Sequence, residues 1–456
     1  MTIVIGLYEV VDMQRRDFIR VSIGVAGIAA TAGSRLALAS MQLCRPEDYG
    51  AKGDGATDDT LALQKALDSG CGSLYLAANY LVSPQKHPGI PGIIGANSVC
   101  LDIKSNIRVY GPGTIILKPG AKGSSGAILA NVSAGNIKNC SVEVQIDGNK
   151  DSAKGKFSGI VFINGDSCKV TEKTVIKNVS YNGIQFAGSS NNCIAKGSKV
   201  SNIGYIGIQA QKPQNIIVSD CVIRKTKDNA IDFESNKGTQ NGVIKNNNIS
   251  DCKAGVFLES GGNCLIADNV ISNFKTAGIF LNRINTPADN VKISGNTIKN
   301  SASEAKFGGI AINNAIKNVI ISGNKITGVK YGIWTNRGIS NLTVNENEFS
   351  NIGEAILRIA RSKNALVRSK ISQQIYNGQR VNGKPFTSSP FDNKNNFPER
   401  VYQVSIAPIK VTGDSHKYNS VDDEYRSASP QPSRARAAVQ MKSAASSSRY
   451  SEWDTE

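Results

Sequence analysis

GYIGIQAQKPQNIIVSDCVIRKTKDNAIDFES, Gly204 to Ser235, holds one period of a repeat and the start of the next. Gly207-Ile208 opens an alternating run, a second run follows at Asn215 to Ile223, and Ala230-Ile231 restarts the pattern. Outward from this stretch the dipeptide recurs at Gly159-Ile160, Gly183-Ile184, Gly255-Val256, Gly278-Ile279, Gly309-Ile310, Gly332-Ile333 and Ala355-Ile356. A period of about 24 residues with strand alternation, and no helical stretch between, predicts an all-β coil of short parallel strands. A leucine-rich repeat shares the period but needs a leucine and asparagine consensus that is missing here.

The second strand of each period reads NIIVSDCVI, GVIKNNNIS, CLIADNVIS, NVKISGNTI, NVIISGNKI and NLTVNENEF. It carries Asn247, Asn269, Asn296, Asn324 and Asn347 in one column. Stacked amides of this kind satisfy one another and the backbone at a turn, so the column is read as a structural ladder.

Strand alternation also assigns faces: if the Ile of each dipeptide points in, the next residue points out, and the third after it points out again. The first outward column runs Val161, Gln185, Gln209, Asp232, Phe257, Phe280, Ala311, Trp334. The second runs Ile163, Ala187, Gln211, Glu234, Glu259, Asn282, Asn313, Asn336, and a third, at the preceding turn, runs Phe157, Tyr181, Tyr205, Asp228, Lys253, Thr276, Phe307, Lys330. Adjacent coils stack about 4.8 Å apart, so Asp228, Asp232, Glu234 and Glu259 converge on one patch with Lys253 beside it. Tyr181 and Tyr205 flank it on one side, and Phe257, Phe280, Arg283 and Trp334 lie toward the other. Carboxylates packed this closely do not all ionise freely, which is what a general acid requires, and aromatic faces suit sugar rings. The bland alternative is solvated charge on an exposed sheet, with Asp228 capping a turn.

The totals agree with a chain that turns sharply and often: 44 glycines in 456 residues, with aromatics at 6%. A net charge of +17 and a pI near 9.4 favour an anionic partner, whether acidic polysaccharide, nucleic acid or a charged membrane surface. The basic residues are scattered, which argues against nucleic acid. Nine cysteines without a CxxC pair argue against a zinc site and a complete disulfide framework. Cys168, Cys193 and Cys264 occupy one place in the repeat and read as small buried hydrophobes. Both histidines, His87 and His416, lie outside the repeats, so a histidine-based centre is not expected.

At the N-terminus, QRRDFIR (Gln14 to Arg20) precedes an uncharged run rich in Gly and Ala, then LALAS with a small-x-small cleavage site at Ala37 and Ala39. This resembles a twin-arginine export signal, and the run is too short and too weakly apolar for a membrane span of about 20 residues. Residues 1–39 are therefore assigned to export, with 1–12 an extension before Met13. The mature protein is expected to be periplasmic or secreted, with no membrane insertion once the signal is removed. Residues 40–156 are read as an N-terminal cap with the first irregular turns, 157–370 as the regular coil, 371–412 as a C-terminal cap, and 413–456 as a disordered tail.

EDYGAKGDGATDDTLALQKALDSGCGSLYLAANYLVS, Glu47 to Ser83, joins a glycine loop to a helix over Thr60 to Asp68 with Leu61, Leu63 and Leu67 at helical spacing, then to a strand. Asp58 or Asp59 caps the helix in this reading. The stretch resembles the entry phrase of the pectate-lyase-like superfamily of right-handed parallel β-helices. That resemblance implies a right-handed single-stranded solenoid with an N-terminal capping helix, and it makes Asp54, Asp58 and Asp59 structural. It does not choose among the lyases, hydrolases, epimerases and tailspikes that share the phrase.

Three activities remain open at the sequence level. Glycoside hydrolysis needs a carboxylic acid and a carboxylate, which Asp232, Glu234 and Glu259 can supply. KDNAI resembles the GDDxI phrase of polygalacturonases, but Asn229 replaces its second aspartate and the NTD and GHG phrases are missing, so polygalacturonase itself is rejected. Elimination on a uronate needs a base such as Lys253 or Arg283, and Asp228 with Asp232 resembles the paired calcium-binding acids of pectate lyases, which makes Ca²⁺ the one cofactor considered. The RxPxxR phrase of those lyases is missing. The third reading is a non-catalytic β-helix for glycan binding or envelope structure. The expectation is an exported enzyme acting on an acidic polysaccharide through the patch centred on Asp232 and Glu234; oligomeric state is not legible.

Overall fold

The stacking of one period on the next follows from the glycine in its signature dipeptide. In the computed structural model of the chain, a Cβ placed on Gly159, Gly183, Gly207, Gly255, Gly278 or Gly309 would lie 2.5–2.8 Å from a carbonyl oxygen of the following coil. Only a small residue lets the backbones approach that closely, which is why Gly or Ala marks every period. The strands then pair in parallel with Ile160 beside Ile184, Ile208, Ile231, Val256, Ile279, Ile310, Ile333 and Leu357 in turn. The result is a solenoid of parallel coils in which helix, among the described residues, is confined to the N-terminal end.

The structure describes residues 43–381, apart from 134, 213, 235–240, 260–261, 283–288, 302–304, 314–315, 336–338, 354, 360–365, 368–369, 373 and 377–378. The export signal, most of the C-terminal cap and the tail fall outside the described residues. No helix among the described residues is long and apolar enough to cross a membrane.

The last register corrects the sequence reading. Ala355 pairs with Tyr331 and Leu357 with Ile333, so the strand Ala355–Ile359 is shifted by one residue from the alignment of Ile356 with Ile333. A one-residue slip exchanges the faces of a strand, and the run Ile356-Leu357 is apolar in both positions, so alternation could not decide between them.

Inside the coil, stacked Ile, Val, Leu and Phe columns form one continuous core from Cys44 to Leu357. Each fully buried aliphatic side chain contributes about 1.5–3 kcal/mol. Phe157, read as outward, is part of this core: it is fully buried, over the Cα positions of Gly123 and Gly126. All nine cysteines are buried free thiols, and burial pushes Cys221 and Cys264 up to about 12. Reductant is accordingly expected to leave the melting temperature unchanged, and a thiol reagent to react only as the protein unfolds. A melt that drops with reductant would contradict this.

At the N-terminal end the helix Thr60–Asp68 closes the core with Leu63, Ala66 and Leu67. Leu61 is 66% exposed, because a residue two before Leu63 lies on the opposite side of the helix. The acids there are structural: Asp59 accepts the Lys52 and Gly53 N–H groups at 2.7 and 2.9 Å, and Asp54 accepts those of Ala56 and Thr57. Asp58 accepts from Thr60 and Ser83 and is ion-paired with Lys118 at 3.2 Å.

The expected asparagine ladder runs through the buried turn. Each Oδ1 of Asn269, Asn296, Asn324 and Asn347 accepts both the N–H and the Nδ2 of the asparagine one coil earlier, at 2.8–3.0 Å. A second, exposed ladder joins Asn263, Asn290, Asn318 and Asn341, Nδ2 to Oδ1, at left-handed corners with φ of 55–57°. Sequence reading missed it, although an asparagine stands at or near the start of the second strand in each of those periods.

Candidate functional site

Apart from Phe157, which turns into the core, and Asn336, which lies outside the described residues, the three columns are assembled as alternation requires. Asp232 lies beside Gln209 and Phe257, and Glu234 beside Gln211. Glu259 follows Glu234 one coil on, its N–H donating to the Phe233 carbonyl at 3.0 Å. The third column is stitched by backbone bonds, Tyr181 to Phe157, Tyr205 to Tyr181, Asp228 to Tyr205 and Lys253 to Asp228, at 3.0–3.1 Å. Asp228, Asp232, Glu234, Glu259 and Lys253 are thus brought together on adjacent coils.

Outward does not mean exposed. Asp232 is 1% exposed, Glu259 4% and Asp228 6%, while Glu234 is half-buried. Asp232 Oδ2 accepts Asn229 Nδ2 at 3.0 Å, and its Oδ1 is a buried oxygen with no hydrogen-bond partner among the described residues. Burial pushes the Asp232 carboxyl well above the ordinary carboxylate range, and the charges of Glu259, Glu234 and Asp228 push it further. The same surroundings favour its protonated form. Asp228 is paired with Lys253, Nζ to Oδ1 3.4 Å.

Glu234 sits in a different setting. Gln209 Nε2 donates to its Oε2 at 3.0 Å, and Asn182 Nδ2 in turn donates to Gln209 Oε1 at 2.9 Å. Neither Asn182 nor Gln209 stood out in the sequence as part of the site, because single amides in a repeat full of Asn and Gln carry no distinguishing signal. Tyr181 and Tyr205 stack with ring centroids 5.0 Å apart and an interplanar angle of 5°, and Lys156 lies 5.7 Å from the Tyr181 ring centre. Burial, with the Glu234 and Asp228 charges, pushes Tyr181 up to about 12, and Tyr205 rises for the same reasons. Both phenols are neutral donors facing an acidic patch.

The other predicted aromatics are placed differently. Phe257, Phe280 and Trp334 lie in a buried cluster with Phe307 and Tyr331, successive rings of Phe257, Phe280, Phe307 and Trp334 being 4.9–5.3 Å apart. None is more than 6% exposed except Tyr331 at 8%, so they pack on one another instead of offering an open face. Arg283 lies outside the described residues. At the opposite end, Ile94 with the partly buried Ile90 and Ile93 covers Val161, Ile163 and Ala187. Between these two apolar seals the accessible side chains of the columns are Tyr181, Tyr205, Gln211, Glu234 and Lys253. They span three coil steps, roughly 14 Å.

Asp228 and Asp232 do not fit calcium. One is engaged by a lysine, the other is hydrogen-bonded to an amide N–H in surroundings that disfavour its charged form, and no group of three metal-ligating side chains occurs among the described residues.

Residues 125–298 match the family model described as "Right handed beta helix region". This chain is a right-handed parallel β-helix. Residues 237–383 of the β-helix also match the model described as "Periplasmic copper-binding protein (NosD)". Among curated proteins it is similar to Mannuronan C5-epimerase AlgE2 of Azotobacter vinelandii, 35% identical over 123 residues, which is 25% of this chain and 12% of the epimerase. It is also similar to Alginate lyase 7 of the same organism, 34% identical over 149 residues, 29% of this chain and 17% of the lyase. The β-helix thus spans less than a fifth of either relative. Of the solved structures, the AlgE4 A-module of A. vinelandii superposes with a TM-score of 0.57 at 17% identity, covering 76% of this chain and all of that one. An exopolygalacturonase from Thermotoga maritima gives 0.57 at 15% identity, covering 76% and 95%. The tailspike protein of E. coli bacteriophage HK620, in complex with a pentasaccharide, gives 0.56 at 15% identity, covering 72% and 66%. The relatives are polysaccharide-acting proteins, and the structural likeness establishes the fold alone.

Proposed function

We propose that the protein is an exported enzyme that cleaves or remodels an extracellular, acidic polysaccharide at the patch formed by Asp228, Asp232, Glu234 and Glu259. The observation that carries this reading is Asp232: a buried carboxyl whose surroundings favour the protonated form, with one oxygen left without a partner among the described residues and a half-buried carboxylate two residues along the same strand. A protonated acid beside an ionised one is the pair that glycoside hydrolysis uses, the acid protonating the departing glycosidic oxygen and the carboxylate activating water or attacking the sugar. The half-buried Tyr181 and Tyr205 offer ring edges and phenol groups to a sugar at the open part of the face.

A second reading is favoured by the relatives. Epimerase and lyase reactions on a uronate begin with removal of the C5 proton, and a protonated Asp232 can instead donate to the uronate carboxylate, easing formation of the carbanion. Support for an acidic glycan comes from the net charge of +17 and from Lys156 and Lys253 at the rim.

The test is incubation with a panel of acidic and neutral glycans, following reducing ends, the ultraviolet absorbance of unsaturated uronate ends, and C5 configuration by NMR. Reducing ends without absorbance mean hydrolysis, absorbance means elimination, and altered C5 signals without chain cleavage mean epimerisation. A folded protein that binds glycans but changes none of them would replace this proposal with the non-catalytic reading.

A further inference from the structure

Asn182 is completely buried, and its Oδ1 accepts the backbone N–H of Ile206 at 3.3 Å. A backbone N–H can only donate, so that bond fixes which end of the Asn182 amide is oxygen. Its Nδ2 must then donate, and it meets Gln209 Oε1 at 2.9 Å. Gln209, 4% exposed, is fixed in turn: its Nε2 must donate, and it meets Glu234 Oε2 at 3.0 Å. Polarity is thus passed from a peptide group, through two buried amides with no freedom to flip, to one carboxylate oxygen. A neutral carboxyl could also accept such a bond, but a donated N–H favours the charged form, and buried it does so more strongly.

We propose that Asn182 and Gln209 are positioning residues, a one-way amide relay that holds Glu234 as the ionised acceptor and makes it the base of the site, with Asp232 as the acid. The assignment rests on the enzymatic reading above. The Glu234 charge acts on Asp232 of its own strand and on the Tyr181 and Tyr205 phenols, Gln211 pairs beside it on the preceding coil, and Glu259 and the lysine-paired Asp228 add their charges to the same patch at Asp232. These carboxylates work against ionisation, and the relay opposes them with a fixed dipole. Two residues three coils and two coils upstream of Glu259 therefore decide which carboxylate of the patch abstracts a proton.

The polarity makes a specific substitution informative. Asn182→Asp keeps the shape and still accepts the Ile206 N–H, but has no donor for Gln209. Gln209 must then turn its Nε2 toward the new carboxylate and present Oε1 to Glu234, which reverses the relay. Gln209→Met keeps the volume and removes the donor. The experiment is a carbon NMR titration of the full chain labelled at glutamate side-chain carboxyls, with the Glu234 signal assigned by its loss in Glu234→Gln. The Glu234 midpoint is expected to rise by about one pH unit or more in Asn182→Asp, roughly tenfold in proton affinity, and by less in Gln209→Met. On any glycan the wild type turns over, the acid limb of the rate profile should move to higher pH by the same amount. An unchanged midpoint in both folded variants overturns the relay even if activity falls. A shifted midpoint in a protein that transforms no glycan upholds the relay's electrostatics and overturns the enzymatic reading instead.

Discussion

Asp232→Asn is expected to lower turnover by on the order of 10²- to 10⁴-fold, the usual worth of a general acid, while making the folded protein more resistant to heat at neutral and alkaline pH. Both effects come from one cause. The carboxyl is buried, has like-charged neighbours and is held well above the ordinary range, so the folded protein keeps a proton that the unfolded chain has already released. Stability contributed by that proton is complete below the unfolded value of about 4 and is lost as pH rises through the higher folded-state midpoint. The asparagine amide has no proton to lose, and its N–H₂ faces Glu234 and Glu259 favourably. Thermal melts across pH should therefore show the two proteins converging toward pH 4 and the variant melting higher above it. A variant that keeps full activity, or that melts lower than wild type throughout, would mean Asp232 is an ordinary structural carboxylate.

Asn296→Leu should be the most damaging single change in the scaffold. Asn296 Oδ1 accepts both the N–H and the Nδ2 of Asn269, and its own Nδ2 donates to the Ile266 carbonyl and to Asn324 Oδ1 at 2.9 Å each. Leucine matches the volume but leaves several buried groups unsatisfied, each costing about 1–3 kcal/mol, so a loss of about 4 kcal/mol or more is expected. Urea unfolding followed by circular dichroism would read it as a lower midpoint. The control is Asn318→Gly in the exposed ladder, which keeps the left-handed corner open to glycine and removes an amide that water can replace, for about 1 kcal/mol or less. Equal losses at the two sites would show that burial of the inner ladder is not what makes it matter.

Much of this was legible in the chain. The Gly or Ala before each Ile marks the point where one coil's carbonyl presses on the next, so the dipeptide spacing was the physical register, including the 31-residue step between Ile279 and Ile310. It misled only at Ala355, where a small residue fills the neighbouring column and the apolar Ile356-Leu357 run has no alternation to correct it. The convergence of Asp228, Asp232, Glu234 and Glu259 was legible too, since alternation and coil spacing are local properties carried by every residue. The directions of side chains past that point were not.

By itself the sequence determined the coil, its inner columns, the asparagine ladder and the row of acids that meets on one face, because each follows from backbone periodicity and from which residues tolerate close backbone approach. Only the tertiary structure decided that this face is sealed by Ile94 at one end and by the Phe257 to Trp334 cluster at the other, that Asp232 is buried while Glu234 is reachable, and that a peptide N–H at Ile206 sets the polarity of a relay ending on Glu234. Burial and hydrogen-bond direction depend on what other coils bring into contact, and the proton inventory of a carboxylate cluster depends on both.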